Sequence, residues 1–128
     1  MPKTVISTPL GPQAIGPYSQ AVRAGNLVFV SGQIPLDPST GKLIEDRSIT
    51  AQTRRSLQNL QGILAAAGMS TRNVVKVTIY LDDMENFKEM NEVYAEFFGS
   101  APPARATVEV AALPLGVGIE VDCIAVTS

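Results

Sequence analysis

The chain of 128 residues contains no histidine, so any proton transfer it performs falls to Asp, Glu, Lys, Tyr, Cys or water. That absence removes Ser-His-Asp and Cys-His chemistry, histidine-dependent ribonuclease chemistry and the commonest zinc sites. Two residues near the C-terminus stand out among those that remain. Arg105 falls in the alternating run 104–110, and Glu120 in the alternating run 118–126. If Ala104, Ala106, Val108 and Val110 face the helices, then Arg105 and Thr107 face away from them. If Ile119, Val121, Cys123 and Ala125 face the helices, Glu120 also faces away. Both groups are thereby expected on one open face of one sheet. A guanidinium fork that can grip a carboxylate, beside a carboxylate that can take a proton, would form a site in a partly dry cleft. The same residue types also form ordinary cross-strand or intersubunit ion pairs, and periodicity leaves both readings open.

Other candidates lie on turns and helix faces. Gly16-Pro17-Tyr18-Ser19-Gln20 is a rigid turn that could present Tyr18 to a pocket, and local turn chemistry explains it equally well. In Ser31-Gly32-Gln33, a glycine inside a strand signals a bulge or a backbone that approaches a ligand closely. Asn91 falls on the helical face of Phe87 and Tyr94, where a polar side chain needs a partner. The single cysteine, Cys123, sits in an apolar run and reads as a small buried hydrophobe. Glu45-Asp46 and Asp82-Asp83 read as solvated ends of elements. No phosphate loop of standard spacing, no CxxC and no HExxH is present, so neither a metal nor a nucleotide cofactor is expected.

The elements that must position these residues are legible as a single domain spanning 1–128. Thr4-Val5-Ile6 reads as a short edge strand, followed by a Pro- and Gly-rich loop from Pro9 to Pro17. The apolar runs 19–24 and 27–33, split by Gly25-Asn26, read as a hairpin. Asp37 to Gly41 reads as a turn. Leu57, Leu60, Leu64 and Ala67 are spaced for a helix over 48–67 that stops at Gly68, and Phe87, Met90, Tyr94 and Phe97 for a second over 84–98 that stops at Gly99. The run 74–81 alternates as a strand, with Val75, Val77, Ile79 and Leu81 on one side. The order β-β-β-α-β-α-β-β predicts an α+β fold: a mixed six-stranded sheet with both helices on one face. The other face would leave Ile124, Val126, Val74 and Tyr80 wet in a monomer, and closed assembly with copies of the chain would bury them.

Composition narrows the class further. The formal charge of −2 gives no electrostatic reason to bind nucleic acid. The N-terminal stretch MPKTVISTPLG lacks an apolar targeting core, and no run of 18 apolar residues occurs, so a cytoplasmic protein with no membrane partner is expected.

Several separated motifs then resemble one family. GPYSQA at 16–21, VSGQIP at 30–35, NLQGILAAAG at 59–68, the run 74–98, PPARATVEV at 102–110 and IEVDCIAV at 119–126 together resemble the RidA/YjgF reactive-intermediate deaminases nearly end to end. The resemblance implies a chorismate-mutase-like fold, a homotrimer with clefts between subunits, and no cofactor. It implies hydrolysis of 2-imino acids and their enamine tautomers, such as 2-aminoacrylate, to 2-keto acids and ammonia. It further implies that Arg105 binds the substrate carboxylate, Glu120 positions the attacking water, and Tyr18, Ser31, Gly32 and Asn91 line the cleft. Members of the family often carry Cys where this chain has Thr107, which removes thiol chemistry there but leaves a hydroxyl beside the substrate. Two other classes stay open: a non-catalytic module that binds small carboxylates, which would need Arg105 but not Glu120, and a ribonuclease or translation inhibitor, which the acidic balance disfavours.

Overall fold

A computed structural model describes residues 2–127. The chain runs through β1 (Thr4–Ile6), β2 (Ala21–Ala24), β3 (Leu27–Gln33), α1 (Ile49–Ala66), β4 (Val74–Leu81), α2 (Phe87–Phe98), β5 (Ala104–Glu109) and β6 (Ile119–Val126). This is the predicted order. The strands form one six-stranded sheet in the spatial order β1-β2-β3-β6-β4-β5. Among the described residues only β4 and β5 pair in parallel, with α2 as the crossover between them, and every other pair is antiparallel.

Local chemistry accounts for the element ends. The Ser48 hydroxyl accepts a hydrogen bond from the Ala51 amide and caps the start of α1. Gly68, at φ +73°, turns the chain out of the helix in the left-handed region. Both helices lie on one face of the sheet. Leu57, Leu60, Ile63 and Leu64 of α1 and Met90 and Val93 of α2 pack there with Val28, Val30, Val77, Ile79 and Val121. On β6 the alternation is complete: Ile119, Val121, Cys123 and Ala125 are buried under the helices, while Glu120, Asp122, Ile124 and Val126 are half-buried on the open face. Among the described residues no helix covers that open face, and Phe29 and Val108 remain 42% and 41% exposed on it. Among the described residues no helix is long and apolar enough to cross a membrane.

Two irregularities change which way side chains point. Between Val74 and Lys76 the register of β4 against β6 shifts. Val74 is therefore buried in the core and Val75 exposed, the reverse of the alternation expected for this end of the strand. Between Val30 and Gln33 the β3–β6 register also shifts, and Ser31-Gly32 occupies that bulge. The glycine in the strand is thus explained by a bulge, as its position suggested.

Candidate functional site

Arg105 is the larger correction. In the parallel ladder Val77 pairs with Arg105 and Ile79 with Thr107, and Val77 and Ile79 are fully buried on the helix face. Neighbours in register point the same way, so Arg105 and Thr107 face the helices. Ala104, Ala106 and Val108 take the exposed positions, reversing the expectation from alternation. The cause is β5's place at the sheet edge, where α2 supplies aromatic rings and an amide rather than aliphatic packing. Arg105 Nη1 donates to Asn91 Oδ1 at 2.7 Å, and its Cζ stands 4.6 Å from the Tyr94 ring centroid and 5.5 Å from that of Phe87. A guanidinium placed over two rings and held by one hydrogen bond keeps its other N–H groups free for a planar anion. Asn91, Tyr94, Phe98, Pro102, Pro103 and Arg105 line a cavity of about 410 Å³.

Glu120 opens into a different cavity, also about 410 Å³, which it shares with Tyr18, Ser31 and Gly32. Burial, then the charge of Asp122 on the same strand face, pushes the Glu120 carboxyl above the ordinary glutamate value. The carboxyl group lies against the Gly32 backbone. A Cβ built on Gly32 would collide with Glu120 Oε2 and stand 2.7 Å from its Cδ, so a side chain here would displace the carboxylate from this seat. The Ser31 hydroxyl donates to the Ser19 carbonyl, and the Ser31 amide donates to the Gln20 carbonyl at 2.9 Å, tying the bulge to the Tyr18 turn. Tyr18 is half exposed, and its hydroxyl accepts a long hydrogen bond from the Ile15 amide. Asp122 is engaged separately, accepting from the Tyr80 hydroxyl at 3.0 Å.

Six of the seven expected site residues therefore separate into two groups. Tyr18, Ser31, Gly32 and Glu120 line one cavity, and Asn91 and Arg105 line the other. Thr107 lines neither, and its Oγ1 is buried without a hydrogen-bond partner. Arg105 and Glu120 do not share a face, and β4 lies between their strands. A direct ion pair of the two within one chain is excluded; among the described residues the ion pair present is Arg54–Glu96.

Alternation missed Phe87 and Tyr94 as partners of Arg105, having assigned both only to the core-facing side of a helix. Their spacing around Asn91, four residues before and three after, places all three on one helical face, and that was the available signal. Cys123 is the buried hydrophobe expected, with burial pushing its thiol up to about 12. Among the described residues no cluster of His, Cys, Asp and Glu has an arrangement that could hold a metal ion.

Comparison with known proteins fits this geometry into a family. The family model described as Endoribonuclease L-PSP matches residues 8–127. A RutC family protein of Pyrococcus horikoshii is 54% identical over 123 residues, covering 96% of this chain and 97% of its own. The human 2-iminobutanoate/2-iminopropanoate deaminase is 45% identical over 124 residues, covering 97% of this chain and 90% of its own. The crystal structure of E. coli TdcF with bound serine superposes with a TM-score of 0.92 at 43% identity, covering 98% of this chain and 99% of that one. The chain therefore belongs to the Endoribonuclease L-PSP family, that of the RidA/YjgF proteins.

Proposed function

We propose that the protein hydrolyses 2-imino acids and their enamine tautomers, such as 2-aminoacrylate, to 2-keto acids and ammonia, and that it does so as a homotrimer at clefts between copies. One observation carries the reading. The anion-binding group Arg105 and the proton-exchanging group Glu120 occupy opposite faces of one sheet and separate cavities, so they can meet a single small substrate only across two copies. The uncovered face with Phe29 and Val108 gives such an assembly an apolar surface to bury. The serine bound to E. coli TdcF and the name of the human relative support a small carboxylate substrate of this type.

The chemistry follows from the two groups. Arg105 of one copy holds the substrate carboxylate and thereby orients the C=N carbon. Glu120 of the neighbouring copy takes a proton from water as the oxygen attacks that carbon and the C=N electron pair moves onto nitrogen, then returns that proton to the nitrogen. The hydroxyl of the carbinolamine so formed gives up its own proton to the nitrogen as the C=O bond forms and the C–N bond breaks, releasing ammonia. The raised affinity of Glu120 for a proton suits this exchange. Because imines hydrolyse without help, positioning and general-base catalysis worth about 10²–10⁴-fold suffice. The test is purified protein in a coupled assay that generates 2-aminoacrylate, with pyruvate and ammonia followed. Faster release than the uncatalysed rate supports the reading, and binding of pyruvate with no acceleration would leave a carboxylate-binding module instead.

A further inference from the structure

Glu120 shares its strand face with a second carboxylate. Asp122 follows two residues along β6 on the same open side, and both are half-buried. Along an extended strand their positions are roughly 6–7 Å apart. Two carboxylates this close compete for one proton, and the surroundings of each decide which of them holds it. Proton exchange with a ligand requires Glu120 to win, because Glu120 is the one that opens into the cavity beside Tyr18 and Ser31.

Tyr80 treats the two carboxylates differently. It pairs in register with Glu120, so its side chain rises on the same open face. Its hydroxyl reaches the diagonal position and donates to Asp122 Oδ2 at 3.0 Å. A hydrogen bond made to the ionised form of a carboxyl favours that form. Burial, then the bond to Asp122 itself, pushes the Tyr80 phenol above its ordinary value, so it stays a donor wherever carboxylates titrate. The donor is also neutral. Among the described residues no cation stands within ion-pair distance of Asp122, so its charge is bonded without being cancelled. An uncancelled negative charge opposes ionisation of Glu120, in keeping with the raised Glu120 carboxyl. The other strands bring little charge to this side. β3 carries none, and Arg105 and Glu109 of β5 pair with Val77 and Leu81, which face the helices. Asp82, past the end of β4, opens into a different cavity. Tyr18 beside Glu120 and Lys76, farther along β4 in register with Ile124, are the remaining titratable neighbours. In the proposed assembly the neighbouring copy adds its Arg105, equally in every variant below.

We propose that Tyr80 is a positioning residue: its hydroxyl keeps Asp122 the ionised member of the pair and so directs the shared proton to Glu120, which can hand it to the substrate nitrogen. The proposal rests on the imine hydrolysis read at Glu120 for its purpose, but where the proton sits is observable without turnover. The side-chain carboxyl resonances of carbon-13-labelled protein are followed against pH, with Glu120 assigned by its loss in Glu120→Gln and Asp122 by its loss in Asp122→Asn. Asp122→Asn is expected to lower the Glu120 midpoint by roughly half a pH unit to nearly two, the span for one charge at that distance between watery and protein-like surroundings. Tyr80→Phe keeps the ring and removes the donor. It should lower the Glu120 midpoint by part of that amount while part of the proton moves to Asp122. The double variant Tyr80→Phe with Asp122→Asn should titrate as Asp122→Asn alone, because Tyr80 acts through Asp122. Tyr80→Leu, which also lacks the hydroxyl, gives the same readout if Tyr80→Phe does not fold.

In parallel, kcat/KM for the imine of alanine, generated by an amino-acid oxidase with catalase present, is measured against pH, and its midpoint should move with the Glu120 resonance. Resonances that shift as expected in a protein that hydrolyses no imine support the proton placement, and the proposed function alone fails. Tyr80→Phe that moves neither resonance overturns the proposal, and imine hydrolysis by the same protein leaves the proposed function standing. An equal shift of Glu120 by Tyr80→Phe with and without Asp122→Asn also overturns it, since Tyr80 would then act on Glu120 by packing and not through Asp122.

Discussion

If Arg105 and Glu120 act from neighbouring copies, two inactive variants must rescue one another. Arg105→Ala removes the carboxylate anchor, and Glu120→Gln replaces the base with a near-isosteric amide that takes no proton at neutral pH. Each variant alone is expected to lose most activity, the second by about 10²–10⁴-fold. In the proposed cyclic trimer each cleft takes Arg105 from one chain and Glu120 from the next. With random assembly from an equal mixture, half of the chains keep Arg105 and half keep Glu120, so about a quarter of the clefts carry both. Activity should vary with the product of the two chain fractions and peak at equal amounts. The chains are co-expressed or refolded together, because trimers purified separately and mixed without exchange serve as the inactive control. Pyruvate release from 2-aminoacrylate is the assay. A second mixture sharpens the result: wild type with an equal amount of the double variant should retain about a quarter of the sites if the cleft is shared, and about half if each chain is self-contained. No rescue in the first mixture, together with half retention in the second, would refute the shared cleft. It would require Arg105 or Glu120 to leave the face on which it is found.

Four further outcomes are expected. Arg105→Lys should fold, but an ammonium cannot reproduce both parallel hydrogen bonds of the guanidinium, so it should bind carboxylate roughly 10- to 150-fold more weakly, since hydrogen bonds to charged groups are worth about 1.5–3 kcal/mol; KM and keto-acid titration check this. Gly32→Ala should push the Glu120 carboxyl from its seat, and a displacement on the order of 1 Å costs about 10²-fold in kcat, read from saturation kinetics. Because Glu120 must be ionised to take a proton and its folded pKa is raised, kcat/KM should fall as pH drops through a midpoint above the ordinary 4.5, and Asp122→Asn, by removing a negative neighbour, should move that midpoint down. Cys123, buried with its thiol at about 12, should resist alkylation at neutral pH in the native protein and react at once in denaturant, as mass spectrometry would show.

The spacing of apolar residues was enough to order the elements, because a helix over 49–66 and strands such as 119–126 bury one face and carry a period that the chain itself displays. Gly25 and Gly68 marked the turns, since left-handed backbone is where glycine is least strained. A set of candidate site residues was also legible, through ordered motifs rather than periodicity. Which way those residues point was not. Alternation says that Arg105 and Ala104 face opposite sides, but it is blind to which side is which; the parallel register with Val77 and the ring of Tyr94 decide that. The same holds at Val74, where one shifted residue in the ladder exchanges the inner and outer positions. Nor does linear spacing reveal that β4 separates β5 from β6, because neighbours in sequence need not pair when a crossover helix intervenes. A sequence of period two fixes relative direction along each strand, while the absolute face depends on strands and helices that are distant in the chain.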